Sequence, residues 1–357
     1  MKLNKLLALS AVLVSGFALG SCNNGNTSTP ATSTPAPEST PAETTAEVSV
    51  GLGYAYSFTA SSEEKAYAQL DLTAAFVAFD EAGKIVDARI DVVQVKAAKG
   101  EESGLQINAG TKLDDAGSIK TKLELGKDYN MVTYGQAIAE VDAQIESFAD
   151  WTVGQTVEEL KANVAAEHGY GTAPHPDLAS SVTIVCHDFV AAIESAYNNK
   201  TTGTYEQGLA GIAMVSGLSE SYGTWEMSVD VAGVLAKDGT IVAAQVDAIV
   251  VQLAVSEAGV IGIKEGQKYM GANGELLSKK TLGDDYAMRP ASPIQAEWDE
   301  QAAAIEEAAN GKTADQVKEL VAGEGELATA TMYVGNYLTA LAKATSYAAL
   351  EHVGPQA

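Results

Sequence analysis

Hydrophobic and polar residues alternate along two neighbouring stretches in the first part of the chain. The apolar positions are Leu70, Leu72, Ala74, Phe76 and Ala78 in the first stretch, then Val86, Ala88, Ile90 and Val92 in the second. Asp80-Glu81-Ala82-Gly83 separates the stretches and is typical of a turn. A period of two on both sides of a glycine turn predicts a β-hairpin with one buried face and one wet face. The pattern returns around Lys237-Asp238-Gly239 and predicts a second hairpin.

Helical spacing follows each hairpin. One apolar stripe comprises Ile138, Val141, Ile145 and Phe148, and a later stripe comprises Trp298, Ala302 and Ile305. Capping boxes then open a further helix in each place, at Thr156-Val157-Glu158-Glu159 and at Thr313-Ala314-Asp315-Gln316. A short extended piece is expected from Val182 to Val185, leading into a helix with Phe189, Ile193 and Tyr197. The order of elements predicts an α+β fold, an antiparallel sheet with helices packed on it.

The chain contains an internal repeat. Residues 125–131 match residues 282–288, which lie 157 positions later, and residues 154–156 match residues 311–313 at the same offset. The first copy carries extra residues around 167–176. Because each copy is domain-sized, the repeat predicts two homologous domains, at residues 48–200 and 205–350.

The N-terminus carries an export signal. Lys2 and Lys5 precede the apolar run from Leu6 to Val14, which is too short for a membrane span. Leu19-Gly20-Ser21-Cys22 resembles a bacterial lipobox. That resemblance implies a signal peptide over residues 1–21 and a lipidated Cys22. The Thr, Ser and Pro tract within residues 22–47 predicts a disordered tether between the membrane and the folded part of the protein.

Composition excludes several classes of function. The chain has 47 acidic residues against 22 Lys and Arg, a net charge of −25. Such a surface repels phosphate backbones, so no nucleic-acid partner is expected. Two cysteines and four histidines are too few for a disulfide scaffold or a multi-histidine metal enzyme. The sequence also lacks a nucleophile triad pattern and a phosphate loop with Gly-Lys-Ser/Thr.

One segment of each copy is unusually rich in small hydroxylated residues. These segments are residues 177–184 and residues 325–332, each just before the last helix of its copy. Backbone N–H groups and the positive end of the helix dipole would suit a phosphate there. The alternative is that Ser and Thr only cap the helix.

These segments resemble the FMN-binding domain family, which includes flavin-carrying subunits of sodium-pumping quinone reductase and Rnf-type complexes and tandem-domain surface lipoproteins. The family pattern is Asp-x-x-Ser-Gly-Ala-Thr. Asp177, Ser180 and Thr183 match its Asp, Ser and acceptor Thr, whereas Ser181 and Val182 replace the Gly and Ala. In the second copy Thr329 and Thr331 align with the motif, Thr331 at the acceptor position, and Gly325 replaces the Asp.

The resemblance implies FMN as cofactor, covalently attached through Thr183 by a flavin transferase. It implies an electron carrier rather than a substrate-turning enzyme, anchored by lipid on the extracytoplasmic face of the cell membrane. Electrons would pass from a membrane donor to an external acceptor. The alternative is a flavin-free solute-binding or interaction lipoprotein built on a degenerate FMN-binding fold.

Other candidate positions recur or cluster. Tyr129 and Tyr286 could stack on a flavin or anchor their loops in the core. Lys122 and Lys279 could bind phosphate or be solvated. Asp91 and Asp247 are expected on a wet sheet face. The sequence places His168, His175, Cys186 and His187 near one another. Their spacing fits no zinc pattern, so Cys186 is expected to be buried as a small hydrophobe and His187 to be exposed.

Overall fold

The computed structural model describes residues 47–101 and 104–349, which all belong to one compact unit. The expected signal peptide (1–21), Cys22 and the tether up to residue 46 lie outside the described residues. Within the described part, no helix combines the length and apolar character needed to span a bilayer.

The first half of the fold, residues 47–200, begins with strands and ends with helices. Its strands are β1 (Glu47–Thr59), β2 (Tyr67–Phe79), β3 (Ile85–Lys99) and β4 (Leu105–Ile107). Its α-helices are α1 (Lys122–Leu125), α2 (Met131–Gly135), α3 (Val141–Thr152), α4 (Val157–Asn163) and α5 (His187–Asn198).

The second half, residues 205–349, has nearly the same order. Its strands are β5 (Tyr205–Glu206), β6 (Leu209–Ser221), β7 (Thr224–Lys237), β8 (Thr240–Val255) and β9 (Ile261–Ile263). Its α-helices are α6 (Lys279–Leu282), α7 (Trp298–Ala309), α8 (Ala314–Lys318) and α9 (Gly335–Ala348). The fold is therefore mixed α and β, as the order of sequence patterns predicts.

The strands form antiparallel sheets. One sheet has the order β4-β3-β2-β1-β5 and the other has the order β6-β7-β8-β9. Both predicted hairpins are confirmed, as β2–β3 and β7–β8. Asp238 and Gly239 turn the second hairpin with φ of 51° and 75°, the left-handed conformation that a two-residue hairpin turn requires.

The two sheets pack face to face around a shared core. Leu70, Leu72, Phe76 and Ala78 of β2 meet Ile212, Met214, Val229 and Leu235 of the second half in one buried cluster. Gly233 is needed here because a Cβ at that position would overlap the Phe76 side chain. The two halves are thus joined by an apolar interface rather than by a linker alone.

Helices cover the outer face of each sheet. Ala75, Val77 and Phe79 of β2 pack with Phe148 of α3 and Ile193 of α5. In the second half Val246 of β8 packs with Ile305 of α7 and Leu341 of α9. The layers therefore run helix, sheet, sheet, helix.

The predicted wet face of the first hairpin is wrong, because both faces are covered. The strand register pairs Ala74 with Asp91 and Phe76 with Arg89. The apolar positions of β2 therefore face the second sheet, whereas Ile90 and Val92 of β3 face the helices. Asp91 and Arg89 are buried as a result, with 0% and 6% of their surface exposed.

Most local expectations for the helices hold. Both capping boxes are present, at Thr156 with Glu159 and at Thr313 with Gln316. The first apolar stripe is shorter than predicted, because α3 begins at Val141 and Ile138 is 51% exposed. Residues 182–185 form no strand ladder and run irregularly into α5.

Candidate functional site

In each half, the backbone N–H of the Thr at the expected acceptor position donates to the side chain of a glutamine. The N–H of Thr183 donates to Gln144 Oε1 at 2.8 Å, and its hydroxyl lies 3.4 Å from the same oxygen. Thr331 makes these contacts with Gln301 at 2.8 and 3.3 Å, and the N–H of Met332 donates to that oxygen at 3.0 Å. These three amides are therefore already bonded within the protein.

The remaining residues of the family pattern lie in the segment that precedes each Thr. Asp177 lies in a 3-10 helix at Pro176–Leu178, where its exposed carboxylate is 3.5 Å from His175 Nδ1. Ser180 is exposed and Ser181 is half-buried. In the second half Thr329 is exposed, just after the 3-10 helix Gly325–Leu327.

An open hollow of about 540 Å³ lies beside Thr331. It is bounded by residues 331–335, which lead into α9, and by Lys318 at the end of α8. Thr331 is exposed in this hollow, whereas Thr183 is half-buried. The α9 helix starts with no side-chain cap, so its dipole end faces this region without a capping oxygen.

A cavity of about 600 Å³ adjoins the hollow, and Met332 and Tyr333 line both. We call it the aromatic cavity. Among the described residues its aromatic lining is Tyr222, Tyr269, Tyr286, Trp298, Tyr333 and Tyr337. Aromatic walls supply large apolar contact area together with polar edges.

The aromatic walls of this cavity support one another. The Tyr286 ring centroid is 6.2 Å from that of Tyr269 and 6.5 Å from that of Trp298, and Trp298 meets Tyr337 edge-on at 5.8 Å. Lys268 Nζ lies 3.8 Å from the Tyr286 centroid, a cation–π contact. Lys279 Nζ lies 5.7 Å from both the Tyr286 and Trp298 rings.

The sheet side of the aromatic cavity is polar. Glu226, Ser228 and Asp230 of β7 line it together with Gln252 of β8. Asp230 Oδ2 accepts a hydrogen bond from Asn336 at 2.7 Å. Burial raises the pKa of Tyr269, with Tyr286 adding to the effect. Burial and then Asp230 raise the pKa of Tyr337. These phenols therefore stay neutral, and their hydroxyls are hydrogen-bonded within the protein, Tyr269 to Tyr286 and Tyr337 to Asp230.

A buried carboxylate fixes the segment that carries the cavity tyrosine in each half. Asp247 accepts from the N–H of Lys280 at 2.9 Å, at the start of α6, and Tyr286 ends the 3-10 helix that follows α6. Asp91 accepts from the N–H of Leu123 in α1 at 3.1 Å, and Tyr129 follows in the same way. The expectation of a wet face for Asp91 and Asp247 is therefore wrong.

Burial raises the pKa of both carboxyl groups. The pKa of Asp91 rises to about 7, although hydrogen bonds from Thr121, Leu123 and Val92 oppose the rise. The pKa of Asp247 rises to about 6, with opposition from Ser278, Lys280 and Ala248. Desolvation of the charged form outweighs the hydrogen bonds in each case.

The corresponding cavity of the first half is smaller and has a different lining. Its volume is about 200 Å³, and it is bounded by Tyr129, Asp128 and a group of lysines. Lys122 Nζ lies 5.5 Å from the Tyr129 ring. Tyr129 and Tyr286 thus occupy matching places beside cavities of different chemistry.

Cys186 and His168 are buried and hydrogen-bonded to each other or to nearby backbone. Cys186 is fully buried, as predicted, and burial raises the pKa of its thiol to about 12. Its backbone N–H donates to His168 Nε2 at 2.9 Å, while Nδ1 of that ring contacts the Ala165 carbonyl at 2.7 Å. His187 is exposed, as predicted. No group of three or more His, Cys, Asp or Glu within the described residues could hold a metal ion.

Several residues of the site were not identified from the sequence. Gln144 and Gln301 are 157 positions apart, the repeat offset, so aligning the two copies would have shown them. No repeat or local motif in the sequence points to Tyr269, Tyr333 or Tyr337. They reach one cavity only because α9 and the segment before α6 fold over the same part of β7 and β8.

Comparison with known proteins adds no identification. No protein family model, no curated protein and no solved structure matches this chain.

Proposed function

We propose that the protein is a membrane-anchored extracytoplasmic lipoprotein that binds FMN and relays electrons through it. The observation that carries the proposal is the aromatic cavity with Thr331 in the hollow next to it. The proposal includes common ancestry of the two halves with the FMN-binding domain family. That part of the proposal depends on the resemblance of the two motif segments.

The residues of the aromatic cavity fit a flavin. Its volume of about 600 Å³ lies within the usual range for small-molecule sites, roughly 300–1,000 Å³. Half-buried Tyr286 and exposed Tyr333 offer ring surface to a planar ligand, and Lys268 and Lys279 place positive charge beside the Tyr286 ring. Because Met332 and Tyr333 border both spaces, a ligand with a ring and a phosphate arm would occupy the cavity and the hollow together.

The second half offers the more accessible acceptor. Thr331 is exposed and Thr183 is half-buried, so the hydroxyl of Thr331 is easier for a flavin transferase to reach. The resemblance names Thr183 as the acceptor in the first half, where Ser180, Ser181 and Asp177 would accompany it. Attachment at either Thr is part of the proposal.

Bound FMN would supply one-electron redox chemistry, and the protein would supply its placement. The aromatic walls would exclude water from the ring, and Lys268 and Lys279 would place positive charge near it. A lipid on Cys22 and the tether to residue 47 would keep the folded unit within reach of a membrane electron donor.

A flavin-free solute-binding or interaction lipoprotein is the second candidate. The bonded amides of Thr331 and Met332 favour it, because Gln301 occupies donors that a phosphate would use. In that case the aromatic cavity would bind a planar or sugar-like solute without redox chemistry.

The test is FMN titration of residues 23–357, produced with and without a flavin transferase, followed by intact mass and peptide mapping. Tyr286→Leu should weaken FMN binding by about tenfold, since it removes one stacking face. Tyr134→Leu is the matched control because Tyr134 is 84% exposed and lies outside the cavity lining. Thr331→Val and Thr183→Val report which Thr, if either, carries a covalent flavin.

The outcomes separate the two candidates. FMN binding that Tyr286→Leu weakens and Tyr134→Leu does not would support the flavin proposal. Absence of colour, of added mass and of any response to FMN would refute it and leave the solute-binding lipoprotein.

A further inference from the structure

Lysine side chains converge on the first-half cavity. The lining includes Lys96 on β3, Lys112 and Lys120 on the loop before α1, and Lys122 at the start of α1. We call these residues the lysine cluster. We infer that this cavity is a binding site for a small phosphate-bearing anion, separate from the aromatic cavity of the second half and not dependent on flavin binding there.

The lining of the cavity has more positive than negative side chains. Among residues 47–101 and 104–349, no ion pair within 4.0 Å involves any of its members. Asp128 also borders the cavity. The nearby carboxylate of Asp71 is engaged by the side-chain amides of Gln69 at 2.7 Å and Gln94 at 2.6 Å. With four lysines and one acidic residue, the lining itself carries a net positive charge.

The backbone holds two of these lysines side by side. The N–H of Lys120 donates to the carbonyl of Lys112 at 3.0 Å, and Leu113 and Ile119 form a β-bridge next to them. Gly117 closes the turn between them with a φ of 86°, which favours glycine. The ordered backbone therefore keeps both lysines at the rim of the same cavity, which lowers the entropy lost when an anion binds.

Lys122 is the most desolvated member. Burial lowers the pKa of its ammonium, although Asp71, Asp91 and Asp188 oppose the effect. An ammonium removed from water gains more from a bound anion than an exposed one does.

The protein as a whole is strongly acidic, so a local cluster of lysines is unusual in it. The chain carries 47 acidic residues and only 22 Lys and Arg. Its general field repels anions, so anion binding requires a local concentration of positive charge such as this one.

The second half supplies an internal comparison. At the repeat offset of 157, Tyr269 stands where the first half has Lys112, and Leu277 stands where it has Lys120. The aromatic cavity has a volume of about 600 Å³, whereas the lysine-lined cavity has about 200 Å³. The first-half cavity is therefore suited to a small charged group rather than to a ring system.

The test is titration calorimetry of residues 23–357 with pyrophosphate, at constant ionic strength set with sodium chloride. The Lys112→Gln/Lys120→Gln double variant should weaken pyrophosphate binding at least tenfold. The charge-matched control is Lys268→Gln/Lys279→Gln, which alters the aromatic cavity and should leave pyrophosphate affinity within twofold. Inorganic phosphate should bind more weakly than pyrophosphate because it carries less charge.

A measurement on the unmodified protein covers the case in which the double variant does not fold. Pyrophosphate should protect Lys112 and Lys120 from acetylation by acetic anhydride, read by peptide mass spectrometry, and leave Lys161 unprotected. No binding heat together with no selective protection would overturn the inference. Equal weakening by both double variants would also overturn it, as would binding only to vesicles that contain phosphatidic acid. FMN binding in the second half is read separately, so either result can fail alone.

Discussion

The buried carboxylate of Asp91 should make the stability of the fold depend on pH in an unusual direction. The pKa of Asp91 is about 7 in the folded protein, against an ordinary value of 3.8. Between these values the folded state holds a proton that the unfolded state has released. The free energy of unfolding therefore falls as pH rises through this window and levels off above pH 7.

The magnitude follows from the pKa difference. One pKa unit corresponds to about 1.4 kcal/mol. The free energy of unfolding therefore falls by about 4 kcal/mol over the whole interval between the two pKa values. Measurements should start at pH 5.5, because the sequence pI is near 4.4 and the protein would associate close to it. From pH 5.5 to pH 8 the Asp91 contribution is about 2 kcal/mol, and that of Asp247, with a pKa of about 6, is about 1 kcal/mol.

The assay is urea unfolding of the wild type, Asp91→Asn and Asp247→Asn at pH 5.5 and pH 8. Asn keeps an oxygen that can accept the N–H bonds to α1 or α6, but it does not titrate. The stability of Asp91→Asn relative to wild type should rise by about 2 kcal/mol between the two pH values. A relative stability that does not change with pH would refute the reasoning, since it would mean that Asp91 titrates normally in the folded state.

Two further substitutions test the packing around the site. Gly53→Ala should cost about 1–3 kcal/mol, because its Cβ would overlap the backbone of α5, whereas Gly217→Ala should cost less because no atom lies within 4 Å of the new Cβ. Equal losses in urea unfolding would contradict this packing. Gln301→Leu should cost about 2–4 kcal/mol by leaving the N–H groups of Thr331 and Met332 unpaired. Thermal unfolding would contradict that expectation if Gln301→Leu matched the wild type.

Local patterns in the sequence predicted much of the secondary structure. The hairpins, both capping boxes and the apolar stripe from Trp298 to Ile305 are present where the sequence places them. These features depend on contacts between residues near one another in the chain. The predictions that were wrong concern the solvent exposure of strand residues. A period of two shows which residues share a face of a strand, but not what covers that face.

The candidate site was predicted only in part, for the same reason. The motif segments led to Thr183 and Thr331, and the repeat led to Tyr129 and Tyr286. The partners of these residues come from distant parts of the chain. Gln301 on α7 reaches Thr331 across 30 residues of sequence, and no local pattern indicates that contact.

The sequence by itself determined the order of elements, the repeat and the excess of acidic residues, because each of these depends on composition or on neighbouring residues. A membrane anchor stays a prediction. Only the tertiary structure decided that the two sheets share one core and that Asp91 and Asp247 are buried. It also decided that matching places in the two halves became an aromatic cavity and a lysine-lined one. Burial and cavity shape depend on which distant surfaces meet, and that is set by packing of the whole chain.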